Sequence, residues 1–127
     1  MNLIERASKY ILGAETIKNW LGEGAATVSP ELAQKRADTC ASCKLNVKSG
    51  IISESIAAEI RRQVEIKNKL NLRVSGEKSL GKCAACFCEN RLKIWLPLRN
   101  ILPEPDERVN FDSKCWLLNE EANPNPV

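Results

Sequence analysis

Residues 3–21 carry apolar side chains at alternating steps of four and three, which is the spacing of one face of an α-helix. This apolar seam consists of Leu3, Ala7, Tyr10, Ala14, Ile17 and Leu21. A helix of about three heptads is marginal by itself in water, so the seam must be buried somewhere. Its larger members are Leu3, Tyr10, Ile17 and Leu21. They are predicted to contact a protein partner or a second copy of the chain. The alternative is that they pack on the chain's own domain. We predict an amphipathic N-terminal helix with its linker over residues 1–28.

Start signals and periodic apolar residues predict two further helices. The stretch SPEL at 29–32 combines a capping serine, a proline suited to the first turn and an acidic residue that complements the helix dipole. This helix is expected to run toward Asp38 and to deliver the chain to Cys40. The next helix is predicted over residues 53–70, with Ser53 as its cap. Its apolar row repeats at every fourth position: Ile56, Ile60 and Val64.

Apolar and polar residues alternate in two short segments, which is the period of a β-strand. The first segment contains Leu70, Leu72 and Val74, and the second contains Leu92, Ile94 and Leu96. The predicted fold class is therefore α+β and mainly helical: a small zinc-stapled domain over residues 29–118, with zinc-ribbon-like Cys-x-x-Cys turns and short strands. The polar tail 119–127 contains two prolines and is expected to be flexible.

Length and composition narrow the class of protein. The 127 residues suffice for one small core, which must be aliphatic because only six residues are aromatic. No apolar run approaches the roughly 20 residues that span a bilayer, and the N-terminus has no cleavable apolar segment. A soluble, unsecreted protein without membrane contact is expected. Clustered thiols in a reducing compartment favour metal binding or redox chemistry over disulfides.

Six cysteines in a chain without histidine are the main candidates for chemistry. The pairs Cys40/Cys43 and Cys83/Cys86 are separated by 39 residues, and each Cys-x-x-Cys pair can present two thiolates from one tight turn. Four thiolates complete the tetrahedron that structural zinc takes at about 2.3 Å. An all-thiolate set favours zinc or an iron–sulfur cluster over calcium or magnesium. Zinc is the first expectation, because cluster cysteines more often follow one another in a single loop.

Cys88 and Cys115 complete the set of candidate metal ligands. They are either buried cysteines that pack as small hydrophobic residues or ligands of a second zinc ion, with one four-cysteine site as the first choice. A redox role is less favoured, because neither Cys-x-x-Cys pair clearly follows a strand that leads into a helix N-terminus. A nucleophilic cysteine would lack a histidine base. The protein is therefore expected not to be an enzyme.

Three stretches together resemble a group of small cysteine-rich proteins that tailed bacteriophages and prophages encode. They are RADTCASC, CAACFCENRLKIWLPL and KCW, and the resemblance covers roughly residues 29–117. Phe87 stands where that group usually has glycine, and Trp116 follows Cys115 where the group often has proline. The resemblance implies a metal-bound fold and a phage context, in the bacterial cytoplasm or the virion. It implies no reaction. Together with the apolar seam of the first helix, this context makes a protein–protein interaction or virion-assembly module the first expectation.

The middle of the chain is basic and suggests a second function. Residues 60–99 hold ten Lys and Arg against three Asp and Glu, a net charge of +7, whereas the whole chain carries +3. Nucleic-acid binding through this segment is the alternative function, with Trp95 stacked on a base. The basic candidates are Arg61, Arg62, Lys67, Lys69, Arg73, Lys78, Lys82, Arg91 and Lys93. A run of like charge is usually a solvated face, so protein binding remains the first expectation.

Overall fold

The computed structural model describes residues 14–86, 88–102 and 105–122, and this part of the chain is mainly helical, as predicted. Its helices are α1 (Ala14–Gly22), α2 (Pro30–Ala41), α3 (Ile51–Asn68), α4 (Asn90–Lys93), α5 (Leu98–Ile101) and α6 (Trp116–Ala122). The 3₁₀ segments Glu77–Ser79 and Pro105–Asn110 and the strands β1 (Asn46–Val47) and β2 (Lys82–Cys83) complete the architecture of these residues. None of the described helices combines the length and the apolar character needed to cross a membrane.

Helix α1 packs on the rest of the domain. Ile17 and Trp20 are buried in the common hydrophobic core, and Leu21 is half-buried against it. The prediction that Ile17 contacts a partner is therefore wrong, because the chain itself covers this side chain. Leu3 and Tyr10, the other predicted contact residues, lie outside the described residues.

Helix α2 begins as predicted and ends later. The hydroxyl oxygen of Ser29 accepts a hydrogen bond from the Leu32 N–H at 3.2 Å, with proline in the first turn. The helix continues to Ala41, so Cys40 lies in its last turn. The buried face has the helical spacing of three and four: Ala33, Arg36, Ala37 and Cys40.

Helix α3 begins two residues before the predicted start. Gly50 occupies the N-cap position, and Ser53, the predicted cap, instead donates its hydroxyl to the Glu89 carboxylate. Lys69 ends the helix in the left-handed conformation, with φ at 54°. The predicted apolar row is buried: Ile56, Ile60 and Val64.

Neither predicted strand is present. Residues 70–74 form no strand, and residues 92–96 form the end of α4 and the turn after it. All side chains from 92 to 96 are buried, so the alternation of that segment does not reflect one solvated face. The observed strands are antiparallel, with Asn46 opposite Cys83 and Val47 opposite Lys82. They are too short to produce a recognisable period in the sequence.

Arg36 joins three separate parts of the chain in the interior. Its side chain is 1% exposed and donates to the carbonyl oxygens of Ile94 at 3.0 Å and Leu96 at 2.7 Å. It also forms a two-point ion pair with Glu120 at 2.9 and 2.7 Å. A buried charge needs such partners, because an unpaired one would be strongly destabilising. Arg36 thereby ties α2 to α6 and to the turn after α4.

Gly81 precedes β2 at a point where two backbones nearly touch. A β-carbon at this position would overlap the carbonyl oxygen of Val47 in β1. We predict that Gly81→Ala lowers the free energy of unfolding by about 1–3 kcal/mol or more, as an overpacked core residue does. Chemical denaturation measures this change.

Gly50→Ala is the matched control for Gly81→Ala. A β-carbon at Gly50 would meet no atom within 4 Å, and its φ of −73° suits alanine. Alanine is a weaker helix cap than glycine, but it also reduces the conformational entropy of the unfolded chain, which stabilises the folded state. The two effects should nearly cancel, so little change in the free energy of unfolding is expected. Equal losses for the two variants would contradict the close approach at Gly81.

Candidate metal centre

The six cysteines come together although they span residues 40 to 115 of the sequence. Cys40 lies in the last turn of α2, and Cys43 lies in the turn after it. Cys83 lies in β2, and Cys86 lies in the turn after it. Cys88 and Cys115 lie just before α4 and α6. All six are free thiols. Five of them interact electrostatically with Lys93, and the sixth, Cys43, interacts with Cys40 and Cys115. The sequence-predicted ligands therefore share one region of the interior.

Asn46 connects the two Cys-x-x-Cys turns. Its backbone pairs with Cys83 across β1 and β2. Its side-chain carbonyl accepts hydrogen bonds from the Gly81 N–H at 2.8 Å and from the Asn90 side-chain amide at 3.0 Å, while its own amide donates to the Ser79 carbonyl at 2.8 Å. One residue three positions after Cys43 thus holds the segment that leads into Cys83.

Four cysteine sulfurs accept N–H donors at defined distances. Two donors are backbone groups: the Leu45 N–H lies 3.4 Å from the Cys43 sulfur, and the Ala85 N–H lies 3.4 Å from the Cys83 sulfur. Two are side chains: the Trp116 indole N–H lies 3.2 Å from Cys40, and the Lys93 Nζ lies 3.2 Å from Cys86. The four acceptors are the cysteines that the sequence places first as ligands. Donors of this kind stabilise anionic sulfur.

Backbone donors also reach two sulfurs through further contacts. Cys83 accepts a second backbone hydrogen bond, from the N–H of Cys86 within the same turn. Cys115 accepts one from Leu117 in the first turn of α6. Cys88 instead shares a side-chain hydrogen bond with Cys86. Among the described contacts, the other five sulfurs accept an N–H donor and the Cys88 sulfur does not.

Lys93 brings a cation into the cysteine group. Its side chain is 2% exposed, and its Nζ lies 5.4 Å from the ring centroid of Trp116 and 5.6 Å from that of Phe111. Burial alone would lower the pKa of Lys93, but the negative charge of the surrounding sulfurs, Cys86 first, outweighs it and raises the pKa above the ordinary value. The sulfurs therefore favour the charged form of Lys93 to the extent that they are themselves thiolates.

The cysteines differ in how readily they lose a proton when no metal is bound. Burial raises the pKa of Cys40 to about 11, against the opposing hydrogen bond from Trp116. The side-chain hydrogen bond with Cys86 raises the pKa of Cys83, with burial adding to the rise. The corresponding bond from Cys86 lowers the pKa of Cys88. Negative charge in the metal-free group is thus favoured at Cys88 over Cys83.

The chemistry of the donors suits a metal ion, whereas their present arrangement does not form a completed site. Among the described residues, no group of three or more cysteine, aspartate or glutamate side chains is arranged to hold a metal ion. The six sulfurs are soft donors, and soft thiolates select zinc or iron–sulfur clusters over hard cations. The residues present therefore fit zinc by ligand type, and the thiols would have to turn toward one point to bind it.

A cleft of about 410 Å³ opens beside the cysteine group. Its walls come from the end of α2 and from residues 112–115, and they include Cys43 and Cys115. The carboxylates of Asp38 and Asp112 also line it. The other four cysteines do not line this cleft, so Cys43 and Cys115 form its thiol-bearing wall.

Several residues of the nucleic-acid alternative are engaged in contacts within the chain. Three arginines are engaged within the chain: Arg61 is buried and paired with Glu77 at 2.8 Å, Arg73 pairs with Glu77 at 3.2 Å, and Arg62 pairs with Glu59. Arg91 and Lys93 also face internal partners, whereas Lys67, Lys69 and Lys78 are exposed and Lys82 is half-buried.

Trp95 is 2% exposed, so the prediction that it stacks on a base is wrong for this structure. Arg61 likewise does not belong to the solvated face on which it was predicted, because α3 directs it toward Glu77.

Sequence reasoning missed two residues that contact the sulfurs. Lys93 was predicted only as a nucleic-acid contact, and Trp116 only as a marker of the last cysteine. The adjacency of Trp116 to Cys115 was an available sign of proximity. No local pattern marks Lys93, because it lies seven residues from the sulfur that it contacts and its burial depends on the tertiary fold.

Comparisons with known proteins leave the resemblance to the phage group resting on the cysteine pattern. No protein-family model, curated protein or solved structure matches the chain. Function therefore has to be argued from the geometry of the site.

We predict an order of thiol reactivity in the reduced, metal-free protein. Iodoacetamide near pH 8 should modify Cys43 before Cys40, because Cys43 is half-exposed in the cleft whereas Cys40 is buried and mostly protonated. Raising the pH toward 11 increases the thiolate fraction of Cys40 and should accelerate its modification. Peptide mass mapping over time measures both rates, with the unfolded protein as the control. Equal rates in the folded protein at pH 8 would contradict this arrangement.

Proposed function

We propose that the protein is a non-catalytic zinc protein that binds another protein, with one zinc ion on Cys40, Cys43, Cys83 and Cys86. One observation carries this proposal: each of these four sulfurs accepts an N–H donor within 3.4 Å. A cysteine that merely packs as a small hydrophobic residue does not require such a donor, whereas a metal-bound thiolate gains stability from it.

Zinc would connect the end of α2 to the segment that follows β2. Bound by four thiolates, it would supply folding free energy, because the ligands are assembled only in the folded chain. The chain's own residues then have separate tasks. Asn46 and Gly81 hold the two turns in register, and Trp116 and Lys93 direct donors at one sulfur of each turn.

A closed shell of four cysteines supports a structural role over a catalytic one. Catalytic zinc keeps a position open for water or substrate, whereas four protein thiolates leave none. The resemblance to small phage proteins implies a phage context, and within it we propose a protein partner, in virion assembly or elsewhere in an infected bacterium. Cys88 and Cys115 are the only other thiols of the chain and would be the ligands available to a second ion.

The first test is the metal content of protein purified without added metal. We expect colourless protein with zinc at one ion per chain by elemental analysis. Two ions would assign Cys88 and Cys115 as ligands as well. A brown sample with iron and visible absorption would replace zinc by an iron–sulfur cluster, and protein free of any metal after zinc addition would contradict the proposal.

Replacement of a single ligand should remove the ion and much of the stability. Cys86→Ser is expected to lose zinc and to melt at a far lower temperature, since structural zinc contributes on the order of 10 kcal/mol of binding energy. Chelation by EDTA should lower the melting temperature of the wild type in the same direction. Elemental analysis and thermal unfolding followed by circular dichroism measure both effects.

Cys88→Ser is the matched control two positions away. It should keep one zinc ion and lose only about 1 kcal/mol, as for an ordinary buried substitution. The opposite result, with zinc kept by Cys86→Ser and lost by Cys88→Ser, would move the ligand assignment from Cys86 to Cys88.

A further inference from the structure

The buried ammonium of Lys93 has an unusual set of neighbours. A charged group in the protein interior must be paired, or its burial is strongly destabilising. The two other buried cations of the described residues, Arg36 and Arg61, are paired with the carboxylates of Glu120 and Glu77. Lys93 forms no ion pair with a carboxylate among those residues, and its described hydrogen bond goes to the Cys86 sulfur at 3.2 Å. The group opposite Lys93 is therefore a sulfur, which would become its anionic partner once Cys86 is a thiolate.

The surroundings of Lys93 hold its ammonium in this position. The rings of Phe111 and Trp116 lie within 5.6 Å and offer their faces to the cation. Trp116 in turn donates to the Cys40 sulfur, so one aromatic side chain contacts both the cation and the opposite Cys-x-x-Cys pair.

We infer that Lys93 is the charge partner of the metal–thiolate centre, an inference that rests on the proposed zinc site. Four thiolates around one divalent ion leave a surplus of negative charge that the interior would otherwise disfavour. The Lys93 ammonium offsets part of this surplus through its contact with Cys86. Lys93 is not a ligand; it positions and stabilises a ligand, and it favours a centre built of thiolates alone.

The competing explanation is that Lys93 only fills space beside the aromatic rings. The two explanations differ in their effect on the sulfur. A nearby positive charge lowers the energy of the sulfur electrons, and removing it should shift sulfur-to-metal charge transfer to lower energy. Loss of packing alone would change stability without a systematic shift of this kind.

The decisive variant is Lys93→Met, which keeps the length of the side chain and removes its charge. We expect zinc affinity, measured by competition with a chromophoric chelator, to fall about 10–100-fold, as for other residues that support metal ligands. In cobalt-substituted protein the sulfur-to-cobalt charge-transfer band should move to longer wavelength. Lys44→Met makes the same change of charge at an exposed site next to Cys43 and should alter neither quantity.

Each result separates the inference from the proposed zinc site. Zinc binding by the wild type together with unchanged affinity and band position in Lys93→Met would overturn the role of Lys93 and leave the zinc site intact. A wild type that binds neither zinc nor cobalt would overturn both. If Lys93→Met does not fold, Lys93→Gln, which keeps an N–H donor and loses the charge, provides the same two measurements. An equal shift of the charge-transfer band in Lys44→Met would show that the net charge of the protein, and not the contact of Lys93 with Cys86, causes the shift. That result would also overturn the inference.

Discussion

The pairing of Asn46 with Cys83 brings together two Cys-x-x-Cys turns that are 39 residues apart in the chain. Two hydrogen-bonded strands of two residues each contribute little stability by themselves. Their register holds because the Asn46 side chain bonds to residues 79, 81 and 90, and because Gly81 lets the backbones approach. The relative position of the two Cys-x-x-Cys turns and the position of α4 depend on this pairing of β1 with β2.

Two buried cations lie over the rings of Trp116. The Arg36 guanidinium lies 4.2 Å from the ring centroid and the Lys93 ammonium lies 5.4 Å from a ring of the same residue. Their partners differ in kind, since Arg36 meets a carboxylate and carbonyl oxygens whereas Lys93 meets sulfur. The indole N–H, directed at Cys40, joins the two arrangements. The interior thus gathers positive charge and N–H donors around the sulfurs.

The sequence predicted those features that depend on neighbours along the chain. The Ser29 cap and the row of Ile56, Ile60 and Val64 follow from local helix chemistry, and both are present. The strand predicted over residues 92–96 is wrong, because alternation of apolar and polar residues indicates a strand only where one side of the segment is in solvent. In this fold every side chain of the segment is buried.

The candidate site likewise contains residues that the sequence could identify and residues whose role depends on the tertiary fold. The cysteines could be identified because metal ligands follow recognisable spacing, and they do share one region. The roles of Lys93 and Trp116 arise from contacts across 7 and 76 positions, and nothing local distinguishes Lys93 from a solvated lysine. Arg61 and Trp95 show the converse, since residue type suggested a surface function that burial removes.

The close approach at Gly81 also restricts how this sequence can diverge. Any side chain at position 81 would meet the backbone of residue 47, which no change of rotamer can move aside. A missense change at this codon therefore threatens the arrangement of the cysteines, although glycine contributes no ligand. In a lineage descended from this chain, the invariant unit would be the glycine together with the two cysteines that follow it, Gly81-x-Cys83-x-x-Cys86.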